Sequence, residues 1–162
     1  VIVKVYSKML FDFITGFSNR ASMPFHIILE EAHRYIQNDK DNEILGYNIF
    51  DRIAKEGRKY GLLLGLISQR PSEISETTVS QCSNFAIFKM FHQADIKFVS
   101  STIPGISNNM LEKIKMLSPG NCVLFGSTFK MPILTTVDKP NPTPYSDSCD
   151  ISKTWYVNSG IR

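Results

Sequence analysis

The chain has no apolar run approaching the length of about 18 residues that a membrane-spanning helix needs. Its opening, Val1-Ile2-Val3-Lys4-Val5-Tyr6, is followed by no small-residue cleavage site after an apolar core, so it does not read as a signal peptide. Cysteine is scarce: Cys82, Cys122 and Cys149 lie far apart with no CxxC spacing, which excludes a zinc knuckle and a disulfide framework and fits reduced thiols in a cytosolic protein. His26, His33 and His92 likewise show no ligand spacing. Charge of neither sign dominates. A net charge of +3 and a pI near 8.8 are compatible with nucleic acid without arguing for it, and Arg20, Lys40 and Lys55 are too scattered to form a basic patch. No internal repeat is present. The most consequential absence concerns phosphate. Of the nine glycines, none is followed by Lys-Ser or Lys-Thr, so the Gly-rich cradle GxxxxGK[ST] is missing.

What is present suits one soluble globular domain: 162 residues, 43% hydrophobic and 20% charged, enough for a real core. Phe25-His26-Ile27-Ile28-Leu29 is a short apolar run, read as a strand buried on both faces in a parallel sheet. It ends in Glu30-Glu31, and carboxylates at the C-terminal end of such a strand lie where open α/β sheets bind ligands. These residues alone leave two readings open. The pair serves a hard cation and a general base, or it merely opens a helix, since acids favour the first turn.

The rest of the chain supplies the context. Val3, Tyr6, Leu10, Phe13, Ile14 and Phe17 predict a helical stripe over 1–19. Residues 19–24 and 37–42 read as loops. A long helix is expected with Ile44, Tyr47, Phe50, Ile53 and Ala54 on one face, stopping near Gly57. Leu62 to Ile67 is a second buried strand, ending in Ser68-Gln69-Arg70-Pro71. Residues 75–81 suggest one or two helical turns, and 85–90 a third strand. Strands separated by helices at this spacing imply crossover connections and a parallel sheet. Helices are expected over 94–101 and, capped by Ser107, over 107–117. Residues 122–125 and 132–137 predict an antiparallel hairpin, and prolines 140, 142 and 144 an extended tail. If the strands at 25–29 and 62–67 are parallel, Glu30, Glu31, Ser68 and Gln69 share one sheet edge. Two acids beside an amide are what nucleotide hydrolysis needs: one acid for Mg²⁺, one to polarise water, and the amide to sense the γ-phosphate. Arg58 adds a planar cation suited to transferred phosphate.

The linked runs LEEAHRYI, AKEGRKYGLLLGLISQRPSEIS and SQCSNFAIFKM resemble the HerA-like ATPases of the HerA–FtsK group of P-loop motors. The similarity runs from about residue 1 to 137 and is densest over 27–90. It implies an α/β fold: the C-terminal portion of a RecA-like P-loop core, a mainly parallel sheet flanked by helices with a C-terminal β-hairpin, over residues 1–138, followed by a proline-bearing tail, 139–162. It places Glu31 as the catalytic glutamate, Glu30 at the metal position for Mg²⁺, Gln69 as the sensor and Arg58 as a finger reaching a neighbouring subunit's ATP. Lys59 and Arg70 are lesser candidates, for phosphate or for structural ion pairs, and His33 orders the helix start or couples to its neighbours. The full-length protein implied is an ATP-driven translocase or helicase on double-stranded DNA, a cytoplasmic homo-hexamer working beside a nuclease and not in a membrane. With no phosphate cradle, this chain is expected to be inactive alone. Two further readings stand beside it. One is a non-catalytic assembly or partner-binding module. The other, a DEAH-type helicase, is disfavoured because Ser68-Gln69-Arg70 stands where a Ser-Ala-Thr-like triplet belongs.

Overall fold

The structure, a computed structural model, describes residues 2–37, 47–103 and 105–145. Its first helix, α1 (Ile2–Thr15), buries Ser7, Phe11 and Ile14, one face at the i, i+4, i+7 spacing of a helix. The expected stripe is corrected here: Tyr6 and Phe13 are 69% and 58% exposed. The sequence carries two apolar stripes, and the outer one (Ile2, Tyr6, Met9, Phe13) faces away from the described core. The inner stripe wins because Phe11 has partners. Its ring meets the edge of Tyr60 at 6.0 Å, and the Arg52 guanidinium lies 5.0 Å from its centroid, a favourable cation–π distance.

Strands β1 (Phe25–Leu29) and β2 (Leu62–Leu66) pair in parallel, with Phe25 opposite Leu62 and Leu29 opposite Leu66. Antiparallel strands can be joined by a tight turn, but a parallel pair needs a crossover. Here it carries α2 (Ile49–Glu56), capped by Asn48, whose side chain accepts from the Phe50 N–H at 3.0 Å. Ile49, Phe50 and Ile53 of α2 are buried, each contributing about 1.5–3 kcal/mol of hydrophobic stabilisation. The α-helix stops where expected, at its C-cap Gly57, but the chain goes on. It tightens into a 3-10 turn (Gly57–Tyr60) and terminates at Gly61, whose φ of 81° is the left-handed conformation that glycine adopts without strain. Of the longer helix expected from Ile44, residues 38–46 lie outside the described residues.

The expectation that β1 is buried on both faces is overturned. Phe25, Ile27 and Leu29 pack inward, but His26 and Ile28 are exposed, and Ile28 (60%) and Leu63 (50%) leave an apolar outer face. Among the described residues only one face of this two-stranded sheet is covered. The mainly parallel sheet is likewise met only in β1 and β2. β3 (Asn84–Ile87) pairs antiparallel with β4 (Asn121–Gly126), and β4 with β5 (Ile133–Thr136), forming a separate three-stranded sheet. The connectors explain this. Between β2 and β3 the only α-helix is α3 (Glu76–Ser80), five residues rising about 7.5 Å, too short to return along a strand of about 16 Å. Between β3 and β4 lie two helices, α4 (Gln93–Thr102) and α5 (Asn108–Lys115), and an even number of returns reverses the strand direction. The two sheets share one core, in which Phe85 stacks on Phe125 at 5.1 Å. α2 is tied to α3 by Asp51, which accepts from the hydroxyls of Ser75 (2.9 Å) and Thr78. Residues 146–162, most of the expected tail, and Cys149 lie outside the described residues.

Candidate active site

The parallel register brings the two polar strand ends to one edge. The ladder runs on past both strands, since the Ile67 N–H donates to Leu29 O and the Ala32 N–H donates to Ile67 O, both at 2.9 Å. Between those two bonds sits Glu31, in the left-handed conformation (φ 49°, ψ 48°). For a residue with a Cβ this costs of the order of 1–2 kcal/mol, and the flanking ladder bonds hold it there. A 3-10 turn (Ala32–Arg34) starts immediately after, but the Glu31 carboxylate does not cap it. Opening a helix is therefore not how this side chain is used.

Its carboxylate is committed on one oxygen and open on the other. Gln69 Nε2 donates to Glu31 Oε1 at 2.7 Å. Glu31 Oε2 is buried and has no hydrogen-bond partner. Its near neighbour is His33 Nδ1 at 3.3 Å, which lies closer to Ser68 Oγ, at 3.0 Å. Ser68 Oγ in turn accepts from the Arg70 N–H at 3.0 Å, fixing the turn that carries Gln69. Four residues read from two separate segments, Glu31, His33, Ser68 and Gln69, thus form one network. Glu30 is exposed beside them.

Arg58 is not part of this network. It is exposed on the 3-10 turn that precedes β2, whereas Gln69 follows β2, so the two lie at opposite ends of the strand. Among the described residues Arg58 pairs with no carboxylate. Arg70 takes the structural role left open for it, with Nη1 4.0 Å from Asp95 Oδ2. Asp95 itself escaped the sequence reading. It is 2% exposed in the first turn of α4, and Oδ1 accepts from the Ser72 N–H (3.1 Å) and hydroxyl (2.6 Å). An acid opening a helix was a visible signal. Its partner, 23 residues upstream, was not.

No cluster of three or more His, Cys, Asp or Glu side chains suited to a metal occurs among the described residues. Magnesium does not require one, because it takes one or two carboxylates with the balance from phosphate oxygens and water. An exposed Glu30 at the strand edge fits that donor set. No helix of the described residues is long and apolar enough to cross a membrane.

No protein-family model matches the chain. Its fold is that of DNA-packaging ATPases. B204 from Sulfolobus turreted icosahedral virus superposes with a TM-score of 0.57 at 18% identity, over 70% of this chain and 52% of that one. B204 of the second such virus, in complex with AMPPCP, gives 0.65 at 15% identity over 85% and 63%. In sequence the chain is HerA-like. It is 37% identical over 116 residues to the DNA double-strand break repair helicase HerA of Sulfurisphaera tokodaii, covering 72% of this chain and 23% of that protein. It is 33% identical over 114 residues to HerA of Pyrococcus furiosus, covering 70% and 20%. The chain thus spans a quarter or less of the length of the curated relatives it matches.

Proposed function

We propose that this chain is the part of a HerA-like ATPase, from the Walker B strand onward, that supplies the water-activating half of the ATP site. The observation that carries this is the Glu31–Gln69 hydrogen bond at a shared strand edge, with the second Glu31 oxygen buried and unsatisfied. Glu31 is the general base: Oε2, the open acceptor, takes the proton of the attacking water. Gln69 holds Oε1, so the carboxylate keeps one orientation, and its amide stands where a γ-phosphate would be sensed. Glu30 would hold Mg²⁺ through a bound water, and the ion supplies charge neutralisation at the β- and γ-phosphates. Arg58, at the far end of β2 and paired with no carboxylate among the described residues, acts on a neighbouring subunit's nucleotide. The GxxxxGK[ST] cradle comes from elsewhere in the complete protein.

On this reading the described residues belong to the C-terminal portion of a RecA-like P-loop core, with β4 and β5 as its closing hairpin and residues 1–138 as one unit. The relatives are named as DNA repair helicases. The complete protein is then a cytoplasmic hexameric translocase on double-stranded DNA, with a nuclease as partner. The apolar faces left open on α1 and on the β1–β2 sheet are the surfaces such an assembly would cover.

The test is DNA-stimulated ATP hydrolysis by the complete ATPase. Glu31→Gln lowers kcat by roughly 10²–10⁴-fold, the usual contribution of a general base. Arg58→Ala is inactive as a uniform ring and is rescued in part by mixing with Glu31→Gln subunits. The 162-residue chain by itself neither binds ATP tightly nor turns it over, and turnover by that chain abolished by Glu31→Gln would overturn the division of the site. The exposed apolar faces also suit a non-catalytic assembly module. Full ATPase activity in Glu31→Gln, with loss of assembly on Ile28→Ser, would favour that reading instead.

A further inference from the structure

We propose that Asp95 is a positioning residue for Gln69. From the first turn of α4 its buried carboxylate grips Arg70 and Ser72, and this holds the turn that presents the Gln69 amide to Glu31. The inference rests on reading Glu31 and Gln69 as the water-activating pair.

The strand itself does not place Gln69. β2 ends at Leu66, and the ladder gives out at Ile67, whose N–H donates to Leu29 O and whose carbonyl accepts from the Ala32 N–H. Past that point Gln69 and Arg70 are exposed, so burial in the core does not fix them. Two side chains fix the turn instead. On the near side, Ser68 Oγ accepts from the Arg70 N–H at 3.0 Å. On the far side, Asp95 Oδ1 accepts from the Ser72 N–H at 3.1 Å and hydroxyl at 2.6 Å, and Oδ2 lies 4.0 Å from Arg70 Nη1. Gln69 is bracketed between the two grips. A carboxylate that is 2% exposed is costly to bury unless its oxygens are used. Here both are used. Besides His92 Nδ1, 3.5 Å away at the start of the same helix, its partners among the described residues all belong to the segment 70–72. An asparagine would accept from Ser72 equally well but would carry no charge to hold a guanidinium. The choice of residue therefore fits a grip on both ends of that segment. What the grip protects is the 2.7 Å bond from Gln69 Nε2 to Glu31 Oε1, and at a reacting centre a misplacement of about 1 Å can cost about 10²-fold in rate.

A purely structural role and a positioning role part company in a double-mutant cycle. In the complete ATPase, Asp95→Ala lowers kcat by about tenfold, and by no more than Gln69→Ala does, with KM for ATP unchanged. Asp95→Asn, which keeps an acceptor for Ser72, loses less. In a Gln69→Ala background Asp95→Ala has no further effect on kcat, because no amide remains to be misplaced. The midpoint of urea unfolding nevertheless falls by the same amount in both backgrounds, since the bonds to Ser72 are lost in both. Should Asp95→Ala fail to fold, Asp95→Asn and Ser72→Ala carry the same cycle in milder form. Amide hydrogen exchange of the complete protein reads the grip without turnover. Exchange over residues 69–73 rises by about tenfold in Asp95→Ala, while that of β2 (Leu62–Leu66) stays as in the wild type. Wild-type kcat in Asp95→Ala, losses that multiply in the double variant, or unchanged exchange over 69–73 would each overturn the proposal. If Gln69→Ala kept full activity, the reading of the Glu31–Gln69 pair would fail, whereas the exchange data would still decide whether Asp95 holds the turn.

Discussion

Gly57 makes opposite demands on an alanine, and the size of each decides the outcome. The residue sits where α2 passes into the 3-10 turn that presents Arg58, with φ −54° and ψ −39°. These dihedrals are helical, so Gly57→Ala should by itself stabilise the chain by about 0.5–1 kcal/mol, through the lower entropy of the unfolded state. Space argues the other way. A Cβ here would lie 2.6 Å from the carbonyl oxygen of Leu62 and 3.3 Å from Ile53 Cγ2. The first neighbour is backbone, at the first residue of β2, and the adjoining Gly61 O accepts from the Phe25 N–H at 2.9 Å. The oxygen cannot retreat without loosening the start of the parallel ladder, so the turn must swing outward. Overpacking of this kind costs about 1–3 kcal/mol, more than the entropic gain, leaving a net loss of about 1–2 kcal/mol. For a chain of this size each kcal/mol moves Tm by roughly 2–4 °C, which gives a fall of about 2–8 °C in a thermal scan followed by circular dichroism. Gly16→Ala is the control, since its added carbon meets nothing nearer than 3.4 Å. In the complete ATPase the displaced turn also carries Arg58 off its target, so hydrolysis falls along with stability. A Tm at or above that of wild type in Gly57→Ala would refute the steric argument.

Two other perturbations follow from groups outside the network. Asp95→Ala removes the acceptor of two Ser72 hydrogen bonds and leaves the part-buried Ser72 N–H unpaired, at a cost of about 1–3 kcal/mol; the midpoint of urea unfolding should drop accordingly, with Asp95→Asn in between. Burial pushes the half-buried Cys82 thiol above its ordinary value of 9.0. Its folded pKa is therefore the higher one, so the stability it contributes is complete below about pH 9 and fades as pH rises through the folded value. Thermal scans taken from neutral to strongly alkaline pH should show a decline that is shallower in Cys82→Ala, and equal slopes in the two proteins would count against a buried thiol.

The candidate site was more legible in the sequence than the layers around it. Apolar runs ending in Glu30-Glu31 and in Ser68-Gln69, joined by a helical stretch, were enough to place both ends on one edge, because a parallel pair follows from a single crossover. Side-chain contacts at that edge, such as His33 to Ser68, were not legible, since they depend on the left-handed backbone at Glu31. The faces did need it. Whether Tyr6 or Phe11 of α1 points inward depends on Tyr60 and Arg52, and periodicity alone cannot rank two stripes of equal apolarity. The same limit explains β1, where Ile28 reads as core by residue type yet has nothing over it among the described residues. β3 failed for a different reason. Strand spacing predicted a parallel crossover, but the five-residue α3 cannot return the chain along β2, and two helices separate β3 from its partner β4. Asp95 was visible as an acid in a first helical turn, but its partner Ser72 could be found only through contact.

Register is what makes the Glu31–Gln69 pair specific rather than incidental. Leu29 opposite Leu66 puts Glu31 two positions past the last paired residue of β1 and Gln69 three positions past that of β2. The extra residue on the second strand is taken up by the Ser68 turn, which closes on the Arg70 N–H, and the compensating curl on the first by the left-handed Glu31. Slipping either strand by one residue would move the pair about 3.3 Å apart along the strands and turn each side chain to the other face. That breaks a 2.7 Å bond outright and exposes Leu29 or Leu66, whichever strand slips. The hydrophobic pattern of the two strands therefore sets the chemistry at their ends. A substitution that inverts the faces, such as Ile27→Lys with Ile28 retained, should dismantle the network without touching any residue in it.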